Sequence, residues 1–119
     1  MRVTGINVNL PVGDIAAARD FYTDYLGLSV EEFNLGWVAR YRSPSGEASV
    51  QLVTRDATAL HDSVISVHVG ASVAEAYAEA KRRGYEIVHP LTEEPWGVRR
   101  FFVRAPDGNL INVVSHTDE

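Results

Sequence analysis

A chain of 119 residues, 45% hydrophobic and 23% charged, is one domain's worth of polypeptide and long enough to bury a core. It has no cysteine, which excludes disulfides, thiolate metal sites and thiol nucleophiles, and its net charge of −5 disfavours nucleic acid as a partner. No run of about 18 apolar residues is present, and no basic segment leads into an apolar stretch near the start, so neither a membrane span nor a secretory leader is expected and a cytoplasmic location is the default.

The first element is "GINVNLPVGD", residues 5–14. Ile6, Val8, Leu10 and Val12 alternate as a half-buried strand should, yet the opposite side begins with Asn7 and Asn9, and asparagine is poor strand material. That side either meets bulk water or lines something that wants amides. Residues 13–24 follow as an amphipathic helix with Ile15, Ala18, Tyr22 and Tyr25 on one face, stopped at Gly27. "LSVEEFN", "WVARYRS" and "ASVQLVT" then read as strands, the last two joined by a turn at Pro44-Ser45-Gly46.

The same plan returns 57 residues later. Val12, Gly13, Ala17 and Gly27 are matched by Val69, Gly70, Ala74 and Gly84. A strand carrying Ile65, Val67 and Val69 precedes a helix over residues 72–83, whose inner face is Val73, Ala76, Tyr77 and Ala80. Strands "YEIVHPL", "VRRFFVR" and "NLINVVS" follow, with a turn at Pro106-Asp107-Gly108. The turns align at an offset of 62, so the second half carries about five extra residues, most naturally in "TEEPWG". The chain is an α+β protein of tandem βαβββ modules, about 1–57 and 58–119.

The segments "LPVGDIAAARDFYTDYLGL" and "PWGVRRFFVRAPDGNLINVV" resemble the vicinal oxygen chelate superfamily, which holds glyoxalase I, extradiol dioxygenases, fosfomycin-modifying enzymes and bleomycin resistance proteins. The resemblance spans nearly the whole chain and implies that the modules curl a mixed sheet around a cleft. One departure is Ala105, where the family usually has the first aspartate of Asp-Pro-Asp-Gly; the turn itself should survive. Neither segment specifies a reaction.

In metal-dependent relatives the first and fourth strands of each module supply one ligand each. Carried onto this sequence, those positions are Asn7, Gln51, Val64 (or Ser63, one residue away) and Asn112. Three neutral amides and a valine lack the anionic or imidazole donors that hold a divalent ion tightly, so no metal and no cofactor are expected. Asn7, Asn9, Ser49, Gln51, Ser66, His68 and Asn112 share the parity of the lost ligands and should line a wet cleft, because burying amides without partners costs about 1–3 kcal/mol each.

His68 is either a polar lining residue or a general base. His61, His89 and His116 fall in expected loops or the tail. Trp96 is either a plug at the sheet's end or a stacking wall for a planar ligand, assisted by Arg99 or Arg100. Trp37, Phe33 and Tyr41 could serve core, dimer contact or ligand wall, with Trp37 the best cleft candidate of the three. The leading functional expectation is a metal-free small-molecule-binding homodimer of the bleomycin-resistance type, taking a flat, partly aromatic ligand, with antibiotic sequestration as its use. The alternative is a lyase, isomerase or dioxygenase-like enzyme of the same superfamily, and a third is a module whose cleft binds nothing physiological.

Overall fold

The computed structural model describes residues 1–116, and its strands follow the alternation of the sequence. The order is β1 (Gly5–Pro11), α1 (Ile15–Asp20), β2 (Val30–Asn34), β3 (Val38–Arg42), β4 (Ser49–Val53), then β5 (Ile65–His68), α2 (Val73–Arg82), β6 (Glu86–Glu94), β7 (Val98–Arg104) and β8 (Leu110–His116). This is βαβββ twice, an α+β fold. The chain divides into two compact units, residues 7–62 and residues 1–6 with those from Ser63 onward, called here the N-terminal and C-terminal units.

The N-terminal unit orders its strands β2-β3-β4-β1. β1 and β4 are parallel, and β4, β3 and β2 run antiparallel in turn. One side of this sheet is apolar: Ala39, Tyr41, Val50 and Leu52 are buried with Ile15, and Leu10, Ala18, Tyr22 and Leu28 pack around them. The Tyr41 hydroxyl donates to Glu31 Oε1 at 2.9 Å; burial, reinforced by that carboxylate, pushes the phenol's pKa up.

The first helix differs from its expected form. Asp14 caps it, Oδ1 accepting from the amides of Ala16 at 2.9 Å and Ala17 at 3.4 Å, but regular α-helix ends at Asp20 and a π-helical turn covers Phe21–Tyr25. Its closing bond runs from Leu26 N to Phe21 O at 3.0 Å. The wider turn shifts the face by one residue. Tyr22 therefore stays against the core while Tyr25 is 77% exposed. A second difference lies on β1, where Ile6 and Val8 are exposed and only Leu10 and Val12 of the alternating set pack in the α1 cluster: so short a helix covers only the end of the strand.

The C-terminal unit orders its strands β5-β8-β7-β6. Val73, Ala76 and Ala80 of α2 are buried against Phe101 and Val113, with Val67, Ile87, Leu91, Val103 and Ile111 packed alongside. Tyr77 meets Phe101 edge-on at 5.0 Å. Gly84 stops the helix at φ 76°, as Gly27 does at 79° in the first module. The turn containing Ala105 is intact, with Gly108 N bonded to Ala105 O at 2.9 Å.

The extra residues of this module do not form a loop. They extend β6 to Glu94, and two register irregularities, between Ile87 and His89 and between His89 and Thr92, absorb the surplus. Pro90 within the run argues against a strand; the structure places it at the edge of the sheet, where a missing amide is tolerated. The turn after it is tight, with Gly97 N bonded to Glu94 O at 3.2 Å.

The π-helical turn makes a direct prediction. Tyr22→Ala should destabilise the protein by about 2 kcal/mol or more, as for loss of a packed aromatic side chain, whereas Tyr25→Ala should stay within about 0.5 kcal/mol. Urea denaturation of the two variants checks this; equal losses would mean that Tyr25 shares the buried face.

Candidate functional site

Each unit has a sheet face turned away from its helix, and the candidate residues gather there. In the N-terminal unit Asn9 stands opposite Gln51, Gln51 opposite Arg40, and Arg40 opposite Phe33. Alternate residues share a side of a strand. Asn7, Asn9, Ser49, Gln51, Arg40 and Arg42 therefore lie opposite the apolar set that meets α1.

The polar atoms of this row are bonded to one another. Asn7 Nδ2 donates to Ser49 Oγ at 2.5 Å. Arg40 donates from Nε at 3.0 Å and from Nη2 at 2.8 Å to a single atom, Gln51 Oε1. A guanidinium can only donate, so the Gln51 oxygen must face it; this leaves Nε2 to donate to Asn9 Oδ1 at 2.5 Å. The nearest carboxylate, Glu32, is 3.6 Å from Arg40 Nη1 and 3.4 Å from Arg42 Nε. Burial holds the Arg40 guanidinium below its usual pKa, with Glu32 opposing that effect.

In the C-terminal unit one row across the sheet is Ser66, Asn112, Phe102 and His89, and the next is His68, Val114, Arg100 and Thr92. Asn112 Nδ2 donates to Ser66 Oγ at 3.0 Å, and Asn112 Oδ1 is buried with no hydrogen-bond partner among the described residues. The rings of His68 and His116 stack with centroids 5.7 Å apart, and the His68 carbonyl accepts from Thr4 N at 2.8 Å.

Beside these rows is a buried charge cluster. Glu94 Oε2 accepts from Arg100 Nε at 2.6 Å and is 3.0 Å from His89 Nε2, so His89 carries its proton on Nε2 and presents Nδ1 as an acceptor when neutral. Arg100 lies 5.0 Å from the Trp96 ring centroid and 4.8 Å from that of Phe102. Trp96 is half-buried in the β6–β7 turn, its ring against the cation.

Trp37 immediately precedes β3, in the parity of Ala39 and Tyr41 rather than of Arg40; its carbonyl accepts from Thr54 N at 2.9 Å. Three residues on these faces escaped the sequence reading. Arg40 could have been found by laying "WVARYRS" against "ASVQLVT" across their turn, which pairs it with Gln51. His89 was hidden because it is assigned to an expected loop, and Glu94 because it falls in "TEEPWG", expected to hold the extra residues; the strand in fact runs from Glu86 to Glu94. A separate depression, lined by Gly13, Asp14, Ile15, Arg19, Asn34 and Gly36, lies at the start of α1 and holds none of these groups.

The four positions corresponding to metal ligands do not fit a divalent ion. The Gln51 oxygen is already committed to a guanidinium, whose charge would repel a cation. Val64 has no donor atom, and the Asn7 and Asn112 amides are bonded to hydroxyls with no carboxylate or imidazole among the four. Among the described residues no group of three or more His, Cys, Asp or Glu side chains is placed to hold a metal.

Removing one partner from a buried ion pair costs about 3–5 kcal/mol, since the other charge is left buried. Glu94→Ala should lose that much stability in chemical denaturation. Glu79→Ala, whose partners Arg82 and Arg83 are exposed, should lose less than about 1 kcal/mol.

Comparison with known proteins agrees with this architecture. The structure is similar to that described as NAD-dependent benzaldehyde dehydrogenase from Legionella pneumophila, with a TM-score of 0.76 at 17% identity, covering 94% of this chain and 99% of that one. It is also similar to methylmalonyl-CoA epimerase from Mycobacterium tuberculosis, with a TM-score of 0.70 at 23% identity and coverage of 96% and 89%. A glyoxalase/bleomycin resistance protein/dioxygenase superfamily member from Vibrio splendidus 12B01 gives a TM-score of 0.69 at 18% identity and coverage of 96% and 99%. At these identities the likeness concerns the fold alone, and a comparison with curated protein sequences gives no significant match. The sequence profile of one family does match, over residues 6–113, and by that match the chain belongs to the Glyoxalase/Bleomycin resistance protein/Dioxygenase superfamily.

Proposed function

We propose that this protein binds a flat, partly aromatic small molecule, without a metal, on the face of the C-terminal unit turned away from α2. The observation that supports this most is Asn112. Its amide is buried, one end is bonded to Ser66, and the other has no partner among the described residues. An unsatisfied buried polar atom costs about 1–3 kcal/mol, a cost that a ligand N–H or O–H, or an ordered water, removes. Ser66 and His68 on β5 supply further polar contacts along the same face, and Trp96, stiffened by Arg100, supplies a planar wall. Binding of this kind needs affinity and no chemistry, and sequestration of an antibiotic is a use that fits it.

A second reading is supported by the His89–Glu94 contact. A carboxylate that fixes the imidazole tautomer leaves Nδ1 able to accept a proton, so an acid–base enzyme working through His89 or His68 is the alternative.

A thermal-shift screen of aromatic natural products tests the first reading, because a ligand that binds only the folded state raises Tm by mass action. For a compound that does so, Trp96→Ala should weaken binding by about 1–3 kcal/mol with a smaller loss of stability, since a turn can relax around the missing ring. His68→Gln should cost about 1 kcal/mol of affinity, the worth of one altered hydrogen bond. The absence of any shift across the screen would remove the binding reading. Turnover of a bound compound that falls by roughly two to four orders of magnitude in His68→Gln or His89→Gln would put the enzyme first.

A further inference from the structure

The two units balance the arginines on these faces differently. In the C-terminal unit Arg100 has a carboxylate at 2.6 Å, and the pair is nearly closed to solvent. In the N-terminal unit the Arg40 side chain is 15% exposed, yet its short contacts go to a neutral amide oxygen. Among the described residues its charge is met only by Glu32 at 3.6 Å, and that carboxylate is shared with Arg42. Among the described residues, the charged groups joined on this face are therefore two guanidinium ions and one carboxylate. Glu31 belongs to the other side, where it accepts from Tyr41, so it does not correct the excess.

The geometry of Arg40 also shows which part of it is engaged. The Nε–Nη2 edge is filled by Gln51, whereas Nη1 has only the loose contact with Glu32. A guanidinium binds a planar two-oxygen acceptor through a pair of parallel N–H bonds, and the edge that includes Nη1 is the one still able to do so. Gln51 anchors the cation from below, and Asn9 anchors Gln51 in turn. Phe33 holds the guanidinium at 4.9 Å from its ring centroid. A register irregularity between Glu31 and Phe33 is what lets two consecutive residues, Glu32 and Phe33, both serve Arg40. Side chains re-aimed in this way are a common use of a β-bulge.

We infer that the helix-free face of the N-terminal unit is a carboxylate-binding site with Arg40 as its anchor and the Asn9–Gln51 amide pair as its support. The ligand class is a small organic monocarboxylate. One excess positive charge matches a monoanion, whereas a phosphate dianion would meet Glu32 with charge left over. The inference uses β1 to β4 only and is independent of the ligand proposed for the C-terminal unit.

The test uses the intact protein with benzoate as the probe and benzamide as its neutral counterpart, followed by NMR titration of the Arg40 Nε–H signal and by calorimetry. Benzoate should bind saturably and move that signal, and benzamide and inorganic phosphate should bind at least tenfold more weakly. Arg40→Met should weaken benzoate roughly tenfold to a hundredfold, the worth of a charged hydrogen-bonding partner. Glu32→Gln should strengthen it, because a competing carboxylate is removed. The Glu32→Gln variant and the wild-type signal also decide the matter if Arg40→Met fails to fold. Equal affinity for benzoate and benzamide, weakening by Glu32→Gln, or an unmoved Arg40 signal at saturation would overturn the inference, and none of these would bear on ligands held at Trp96.

Discussion

A βαβββ module has one helix for four strands, so only one side of its sheet can be covered from within the module. Everything else in the structure depends on how the other side is managed. The side that meets the helix is filled by Ala39, Tyr41, Val50 and Leu52 in one unit and by Val113 and Phe101 in the other. The other side carries Asn7, Gln51, Ser66, Arg100 and Asn112, all buried. Buried polar groups are as a rule paired, and the strands pair most of these sideways, between neighbouring strands of the ladders; Asn112 Oδ1, without a partner among the described residues, is the exception.

Strand periodicity made that division legible in the sequence. Period-two alternation separates Asn7 and Asn9 from Val8 and Leu10 without any knowledge of the fold, and the same alternation puts Gln51 and Asn112 on the polar sides. The helix stops at Gly27 and Gly84 were legible for an equally local reason, the need for a positive φ. What was not legible depended on register. Arg40 becomes important only through its place opposite Gln51, which appears when the two strands are laid across their turn and not when each is read alone. The π-helical turn that rotates Tyr25 outward has no signature in a pattern of apolar spacing, and Glu94 is reached only if β6 continues past Leu91, where "YEIVHPL" ends. Local chemistry is written residue by residue; which residues become neighbours is decided by bulges and loop lengths.

The two modules show how far one scaffold can diverge. Gln51 and Asn112 occupy equivalent places, each paired in parallel with an N-terminal strand of its own unit, at Asn9 and Ser66. Their offset is 61, whereas the turns before them are 62 apart. The difference comes from the first hairpin, closed by Ser43 N to Ala48 O, against Ala105 N to Asn109 O in the second, a loop one residue longer. With that residue accounted for, Arg40 corresponds to Phe102 and Phe33 to His89. A cation over a phenyl ring in one module has become a phenyl ring beside an imidazole in the other, so the geometry of contact persists while the charge moves.

Where the charge went explains the different surroundings of the two arginines. With Phe102 at the Arg40 place, the C-terminal unit carries its guanidinium one row further along at Arg100, and there the elongated β6 brings Glu94 within 2.6 Å. An ion that is buried and closely paired is fixed in place, because separating it from its partner in a poorly solvated setting is costly. Arg100 is therefore suited to stiffening Trp96 and is poorly suited to exchanging its partner for a ligand. Arg40 has the opposite character: its neutral support is tight and its charged partner is distant. The shorter β2 supplies only the bulged Glu32, divided between two cations. Strand length on the outer edge of each sheet thus sets whether a cation on the helix-free face is a finished structural contact or one whose charge is still incompletely met.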